Sequence, residues 1–149
     1  MAAPLDDIVV IEIDNWMAAP SAGAILADLG ARIIKVEPLS GDPMRGLSRP
    51  IKNEDVPESI RQLDLQFDVD NRGKESIAVA LDQPEGAELV RQLVIKADIF
   101  MCNLLINRQQ KFGLDPETLL KVKPSLVHAT LTGYGTSGPD AWRPGYDVT

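Results

Sequence analysis

Branched apolar residues gather into short runs, and between those runs the apolar positions repeat with a helical period. Ile8-Val9-Val10-Ile11-Glu12-Ile13 is almost continuously hydrophobic, as a strand covered on both faces should be. A loop over 14–19 follows, with Pro20 suited to a first helical turn. Ala22, Ile25, Leu26 and Leu29 then recur at i, i+3, i+4 and i+7, which predicts a helix burying that stripe, and Gly30 stops it. Arg32-Ile33-Ile34-Lys35-Val36-Glu37 reads as a second strand, so the opening is a right-handed parallel β-α-β unit.

The pattern weakens over 38–70, read as a long surface loop with a short helix near 58–63. Arg61 and Asp64, at i and i+3, read as a solvated pair on that helix. Regularity returns at Ser76-Ile77-Ala78-Val79-Ala80-Leu81, a third strand. Residues 84–97 form a helix with a stripe of Ala87, Val90, Leu93, Val94 and Ala97. Strand four is Asp98-Ile99-Phe100-Met101-Cys102, a short helix covers 116–122, and strand five is Leu126-Val127-His128-Ala129-Thr130-Leu131. From Gly133 onward glycine and proline dominate and no periodic element follows. The fold class is α/β, a Rossmann-like parallel sheet of about five strands with flanking helices.

Composition narrows the function. Fifteen Lys and Arg stand against 22 Asp and Glu in 149 residues, a formal charge of −7, which excludes a general nucleic-acid binder. No apolar run approaches the roughly 20 residues of a membrane span, and the start has no basic and apolar leader pattern, so no membrane contact is expected. The single cysteine, Cys102, excludes an internal disulfide and points to a reducing cytoplasm. One histidine and one cysteine cannot build a zinc site without carboxylates at ligand spacing, and none are so spaced. His128, inside strand five, reads as strand packing, and Cys102 as a buried, inert thiol.

The loop after strand one, Asp14-Asn15-Trp16-Met17-Ala18-Ala19-Pro20, lacks the glycines that let a dinucleotide pyrophosphate approach a helix N-terminus. Glu37 ends strand two where a ribose-binding acid would sit, but without those glycines no NAD site is expected. Three other clusters stand out: Gly41-Asp42-Pro43-Met44-Arg45-Gly46, Asn71-Arg72-Gly73-Lys74, and the glycine segment running from Gly133-Tyr134-Gly135 to Arg143-Pro144-Gly145-Tyr146-Asp147. Each alone is an ordinary turn. The loop after strand one, Asn103 and the glycine segment lie at the carboxyl edge, where open α/β sheets take ligands.

Taken with Pro4-Leu5-Asp6, Ala27-Asp28-Leu29-Gly30-Ala31, Ile34-Lys35-Val36-Glu37, Pro84-Glu85-Gly86 and Ala97-Asp98, these clusters resemble, in order, the class III CoA-transferase family, the carnitine-dehydratase and bile-acid-inducible F type. The resemblance implies the first, Rossmann-like part (1–149) of a larger fold of two interlocked chains, a homo-oligomer or a companion chain. It implies acyl-CoA or CoA as substrate and no metal or redox cofactor. In the family's transferases an aspartate attacks the thioester and an aspartyl-CoA intermediate follows. That aspartate lies past Thr149, so no catalytic residue is assigned to this chain. Carried over by position, Ala18 would touch CoA from the first loop, and Val79 and Leu81 would line the adenine region. Asn103 and Leu104 would follow strand four, and Lys111, Arg143 and Tyr146 would meet phosphate or pantetheine. Any CoA site would be a local basic pocket of Lys111, Arg143 and Arg72. The segment after strand four, Cys102-Asn103-Leu104-Leu105-Ile106-Asn107, keeps only the asparagine of the family's Glu-Asn-Phe-Arg-Pro-Gly. Gly145-Tyr146-Asp147 replaces the Gly-His-Asp of the racemase branch. A non-catalytic CoA-binding module, an interaction fragment and a racemase-type relative remain the alternatives.

Overall fold

The computed structural model describes residues 2–47, 55–61 and 63–146. Residues 48–54 and Gln62, within the stretch read as loop and helix, and Asp147 of the Gly-Tyr-Asp segment lie outside the described residues. Five parallel strands form one sheet: β1 (Val9–Ile13), β2 (Arg32–Glu37), β3 (Glu75–Ala78), β4 (Ile99–Cys102) and β5 (Val127–Thr130), in the order β3-β2-β1-β4-β5. The chain steps outward from β1 to β2 and β3, then returns to the other side of β1 for β4 and β5. The order therefore reverses between β1 and β4, the crevice position in open α/β sheets. In register, Ile11 lies beside Ile34 on one side and Phe100 on the other.

Side chains on β1 alternate between two cores, as the period of two requires. Ile11 and Ile13 join Val36, Phe100 and Cys102 under α4 (Pro84–Lys96), α5 (Ile106–Phe112) and α6 (Pro116–Val122). Val10 joins Ile33 and Met101 on the opposite face, under α1 (Ala18–Asp28), with Leu26 and Ala27 packed against them. α3 (Leu65–Asn71) lies alongside α1, and α2 (Glu58–Arg61) is a single turn. On α4 the expected stripe is the buried one: Ala87, Val90, Val94 and the following Ala97 are covered, with Leu93 at the margin.

On α1 the structure corrects the expected face. The covered residues are Ala19, Pro20, Gly23 and Ala24, while Ile25 and Leu29 are 55% and 41% exposed. Small residues won the inner face because α1 rides close over β1: a Cβ on Gly23 would lie 1.9 Å from Glu12 Oε2. Two helices that the pattern did not show also emerge, α3 within the expected loop and α5 in a stretch given no element. Asp64 is not a mid-helix partner but the N-cap of α3, accepting from Phe67 N, and α5 ends on Gly113 in the left-handed conformation (φ 64°). Strand three is shorter than expected, ending at Ala78. Val79 still donates from its amide to Glu37 O at 2.8 Å before the chain turns away.

Candidate functional site

A buried ionic cluster organises the carboxyl edge on the α1 side. Glu12 and Lys35 fall on inward positions of β1 and β2 facing α1, and both are at most 1% exposed. Lys35 Nζ donates to Glu12 Oε1 (3.1 Å), Asp14 Oδ1 (3.2 Å) and Asp14 O (2.9 Å), and pairs with Asp42 Oδ2 at 3.0 Å. Lys74 Nζ donates to the same Glu12 oxygen (2.7 Å), to Pro20 O (2.8 Å) and to Asn71 Oδ1 (3.2 Å). Beside them Glu37 accepts two bonds from Arg45 (2.6 and 2.7 Å), one from Ser76 Oγ (2.6 Å) and one from Asp42 N (2.8 Å). Arg45 also lies 4.0 Å over the Phe67 ring. Two of the three clusters that read as separate turns thus join strand two in one connected network: Lys35 and Glu37, Asp42 and Arg45, Asn71 and Lys74.

Burial and like charge shape the protonation here. Burial first, then the neighbouring Glu12, push Asp14 up to about 8 against the pull of Lys35 and Lys74. With Asp14 protonated, the buried cluster carries one negative charge fewer against its two lysines. Burial also works on Glu37, but the bonds from Arg45, Ser76 and Asp42 N outweigh it and hold its carboxyl down at about 2. Burial lowers Lys35 in turn, and the charges of Asp14 and Glu12 more than offset it. These carboxylates are committed to structure, which leaves none of them an exposed nucleophile.

At the switch point the β1–α1 loop is tied to β4. Asn15 N donates to Asn103 Oδ1 (3.2 Å) and Asn103 Nδ2 donates to Asn15 O (2.8 Å), so the Asn103 side chain brackets the loop backbone. Next to this bracket a groove of about 460 Å³ opens along the strand ends. Val36, Pro38, Val79, Leu81 and Leu104 give it apolar walls, Asn15 and Ser40 polar points, and Arg108 a cation at its α5 side. Arg108 has no carboxylate partner among the described residues. Lys111, one turn on, faces an adjoining depression of about 280 Å³ that shares Leu81, Asp82 and Phe112 with the groove.

The structure therefore gathers Val79, Leu81, Leu104 and Asn103 around one groove and sets Lys111 beside it. Ala18 is exposed at the start of α1. Tyr146 meets Trp16 edge-on, ring centres 6.3 Å apart. The glycine segment folds back on itself to bring it there: a Cβ on Gly133 would lie 2.5 Å from the Gly145 Cα. Arg143 is occupied with Asp140 (3.4 Å) and the Tyr134 ring (5.1 Å). Arg72 pairs with Asp28 of α1, on the face of the sheet opposite α5. The basic pocket of Lys111, Arg143 and Arg72 is thus not assembled, and the cation in the groove is Arg108, which sequence reasoning passed over because α5 was not seen. The signal for α5 was Gly113 following Gln109 and Phe112, the helix's two covered residues at i and i+3.

His128 and Cys102 sit as expected. The His128 ring packs edge-on to Phe100 and bonds Leu114 O at 3.0 Å, and burial pushes the fully covered Cys102 thiol up to about 11. Among the described residues no group of three or more His, Cys, Asp or Glu is placed to hold a metal, and no helix is long and apolar enough to cross a membrane.

Sheet order, bracketed loop and groove define a parallel α/β protein with an open groove at its switch point. The sequence matches CoA-transferase family III over residues 5–149, and the chain belongs to that family. It is 41% identical over 145 residues to succinate–glutarate CoA-transferase of Agrobacterium fabrum, covering 97% of this chain and 36% of that protein. It is 38% identical over 146 residues to cinnamoyl-CoA:phenyllactate CoA-transferase of Clostridium sporogenes, covering 95% and 34%. Among solved structures, a CaiB/BaiF family protein from Brucella suis superposes with a TM-score of 0.84 at 39% identity, covering 99% of this chain and 38% of that one. The chain spans about a third of the length of the curated relatives it matches.

Proposed function

We propose that this chain forms the Rossmann-like part, residues 1–149, of a CoA-transferase acting on acyl-CoA thioesters, and that its groove holds the nucleotide end of CoA. The supporting observation is the groove at the β1–β4 switch, apolar on its walls and carrying Arg108, which lies over the Phe112 ring and has no carboxylate partner among the described residues. Adenine is a flat apolar body and the phosphates are anionic, so a slot of Val36, Val79, Leu81 and Leu104 beside the Arg108 guanidinium suits both. Lys111 adjoins for a further phosphate. Asn103 acts by fixing the Asn15 backbone, and Ala18 and Tyr146 would face the pantetheine arm.

The carboxylate that would attack the thioester is not among Glu12, Asp14 and Asp42, all buried against ammonium groups. By the resemblance the attacking aspartate lies past Thr149, and we place the protein in the cytoplasm as a homo-oligomer or with a companion chain. Isothermal titration of CoA into the 149-residue chain tests the groove. Saturable binding is expected, weakened roughly 10- to 100-fold by Arg108→Ala, which removes a charge-assisted phosphate contact. Arg72→Ala should leave the affinity in place. No heat of binding, or equal effects of the two substitutions, rejects the reading.

A further inference from the structure

Among the described residues Trp16 is the one non-glycine residue with positive φ, at 69°. An indole-bearing residue is strained in that region and persists there when its surroundings over-determine it. The bonds that do so are visible on both sides. Lys35 Nζ holds Asp14 O, and Asn103 holds both the N–H and the C=O of Asn15, so the two peptides before Trp16 are fixed. Ser21 N donates to Met17 O at 2.8 Å and fixes the residue after it as the first turn of α1. So pinned, the loop turns Trp16 and Met17 toward solvent at 40% and 49% exposure, and Tyr146 is set edge-on to the indole. Nothing in the core requires this: the strain leaves an aromatic side chain outside, directly after Asn15, which lines the groove.

The cations of the same edge are unevenly placed. Arg108 and Lys111 stand on the α5 side of the groove. Near the loop, Lys35 and Lys74 are buried and consumed by Glu12, Asp14 and Asp42, and Arg143 is engaged with Asp140 and Tyr134. An acyl-CoA is polar in the matching sense, with its phosphates at one end and its acyl group at the other. The orientation that gives the phosphates their cations leaves the acyl end to Trp16 and Tyr146, where an added carboxylate would find no free cation among the described residues.

We propose that Trp16 and Tyr146 form an apolar wall that selects thioesters of hydrocarbon or aryl acids over thioesters whose acyl group ends in a carboxylate. This rests on the reading of the groove as the CoA site, and the experiment separates the two. The 149-residue chain is titrated by calorimetry with CoA, hexanoyl-CoA, phenylacetyl-CoA and succinyl-CoA. Hexanoyl-CoA and phenylacetyl-CoA are expected to bind about tenfold more tightly than succinyl-CoA, the gain from covering a few tens of Å² of apolar surface on each partner. Trp16→Ala and Trp16→Gly, the second free of backbone strain, should both collapse that difference to within about twofold. Trp16→Lys should put succinyl-CoA ahead, and Ile25→Ala, on the outer face of α1, should keep the wild-type order. Succinyl-CoA binding as tightly as hexanoyl-CoA, or a preference that survives both Trp16→Ala and Trp16→Gly, overturns the proposal while leaving the groove intact. Failure of CoA itself to bind removes the groove reading and this inference together.

Discussion

Replacing Gly23 by alanine adds one methyl group to the face of α1 that lies on β1, where Glu12 Oε2 already stands. The new Cβ would be 1.9 Å from that oxygen, 3.1 Å from Glu12 Cδ and 3.0 Å from Lys74 Nζ, whereas real Cβ contacts essentially never fall under 3.0 Å. Something must move by about 1 Å. Glu12 is fully buried and its other oxygen is shared by Lys35 and Lys74, so displacing it strains both ion pairs at once. Disrupting a buried pair costs about 3–5 kcal/mol, and alanine's helix propensity returns about 1 kcal/mol. The expected net loss is about 2–4 kcal/mol, or a fall of roughly 1–3 M in the urea midpoint followed by far-ultraviolet circular dichroism. The cause is separable from a generic core effect by a double-mutant cycle. Glu12→Ala alone destabilises by taking the carboxylate from Lys74 and one of three from Lys35, but it also clears the space, so Gly23→Ala in that background should be neutral or stabilising by about 1 kcal/mol. A Gly23→Ala variant as stable as wild type, or costs that simply add across the cycle, would refute the account.

Stability should fall as pH rises from about 4 through 8, by up to about 1.4 kcal/mol per pH unit. Asp14 keeps its proton in the fold up to about 8 and loses it near 4 when unfolded. Asp14→Asn should flatten that limb, and an unchanged slope in the variant would contradict the assignment. Glu37 has the opposite sign: held down at about 2, it adds stability that is present above 4.5 and lost as pH falls toward 2, a limb that Arg45→Ala should shrink in acid titrations. Cys102, fully covered and pushed up to about 11, should resist a thiol reagent at pH 8 until the chain is unfolded in urea, and rapid labelling of the native protein would count against the core placement. Asp115→Ala should cost about 1 kcal/mol by removing the cap that accepts from Thr118 N at 3.0 Å, measured by thermal melting, with Asp115→Ser restoring most of it.

The sheet was legible because its strands are buried on both faces and therefore continuously apolar, and all five appear within a few residues of their expected limits. α4 was legible in detail because its covered residues are large enough for the helical period to show. α1 misled for the opposite reason. Its inner face is built from Ala19, Pro20, Gly23 and Ala24, and the stripe of larger residues that dominates the pattern points largely outward. At the site, Lys35, Glu37, Asp42, Arg45 and Lys74 were visible as motif residues, yet no spacing rule says that turns 30 residues apart are joined through two lysines sharing the buried Glu12. The Asn103 bracket and the strained Trp16 are tertiary facts with no local signature. Arg108 was hidden by the short α5, whose seven residues carry only two covered positions.

The central claim is that CoA lies in the groove at the β1–β4 switch. Backbone amide shifts of the isotopically labelled chain, followed as CoA is added, test it most directly. The account predicts saturable shifts over 13–16, 36–40, 79–82 and 103–112, with 22–29 on the outer side of α1 unmoved. Shifts centred on α1 and α3 instead, or none at millimolar CoA, would contradict it.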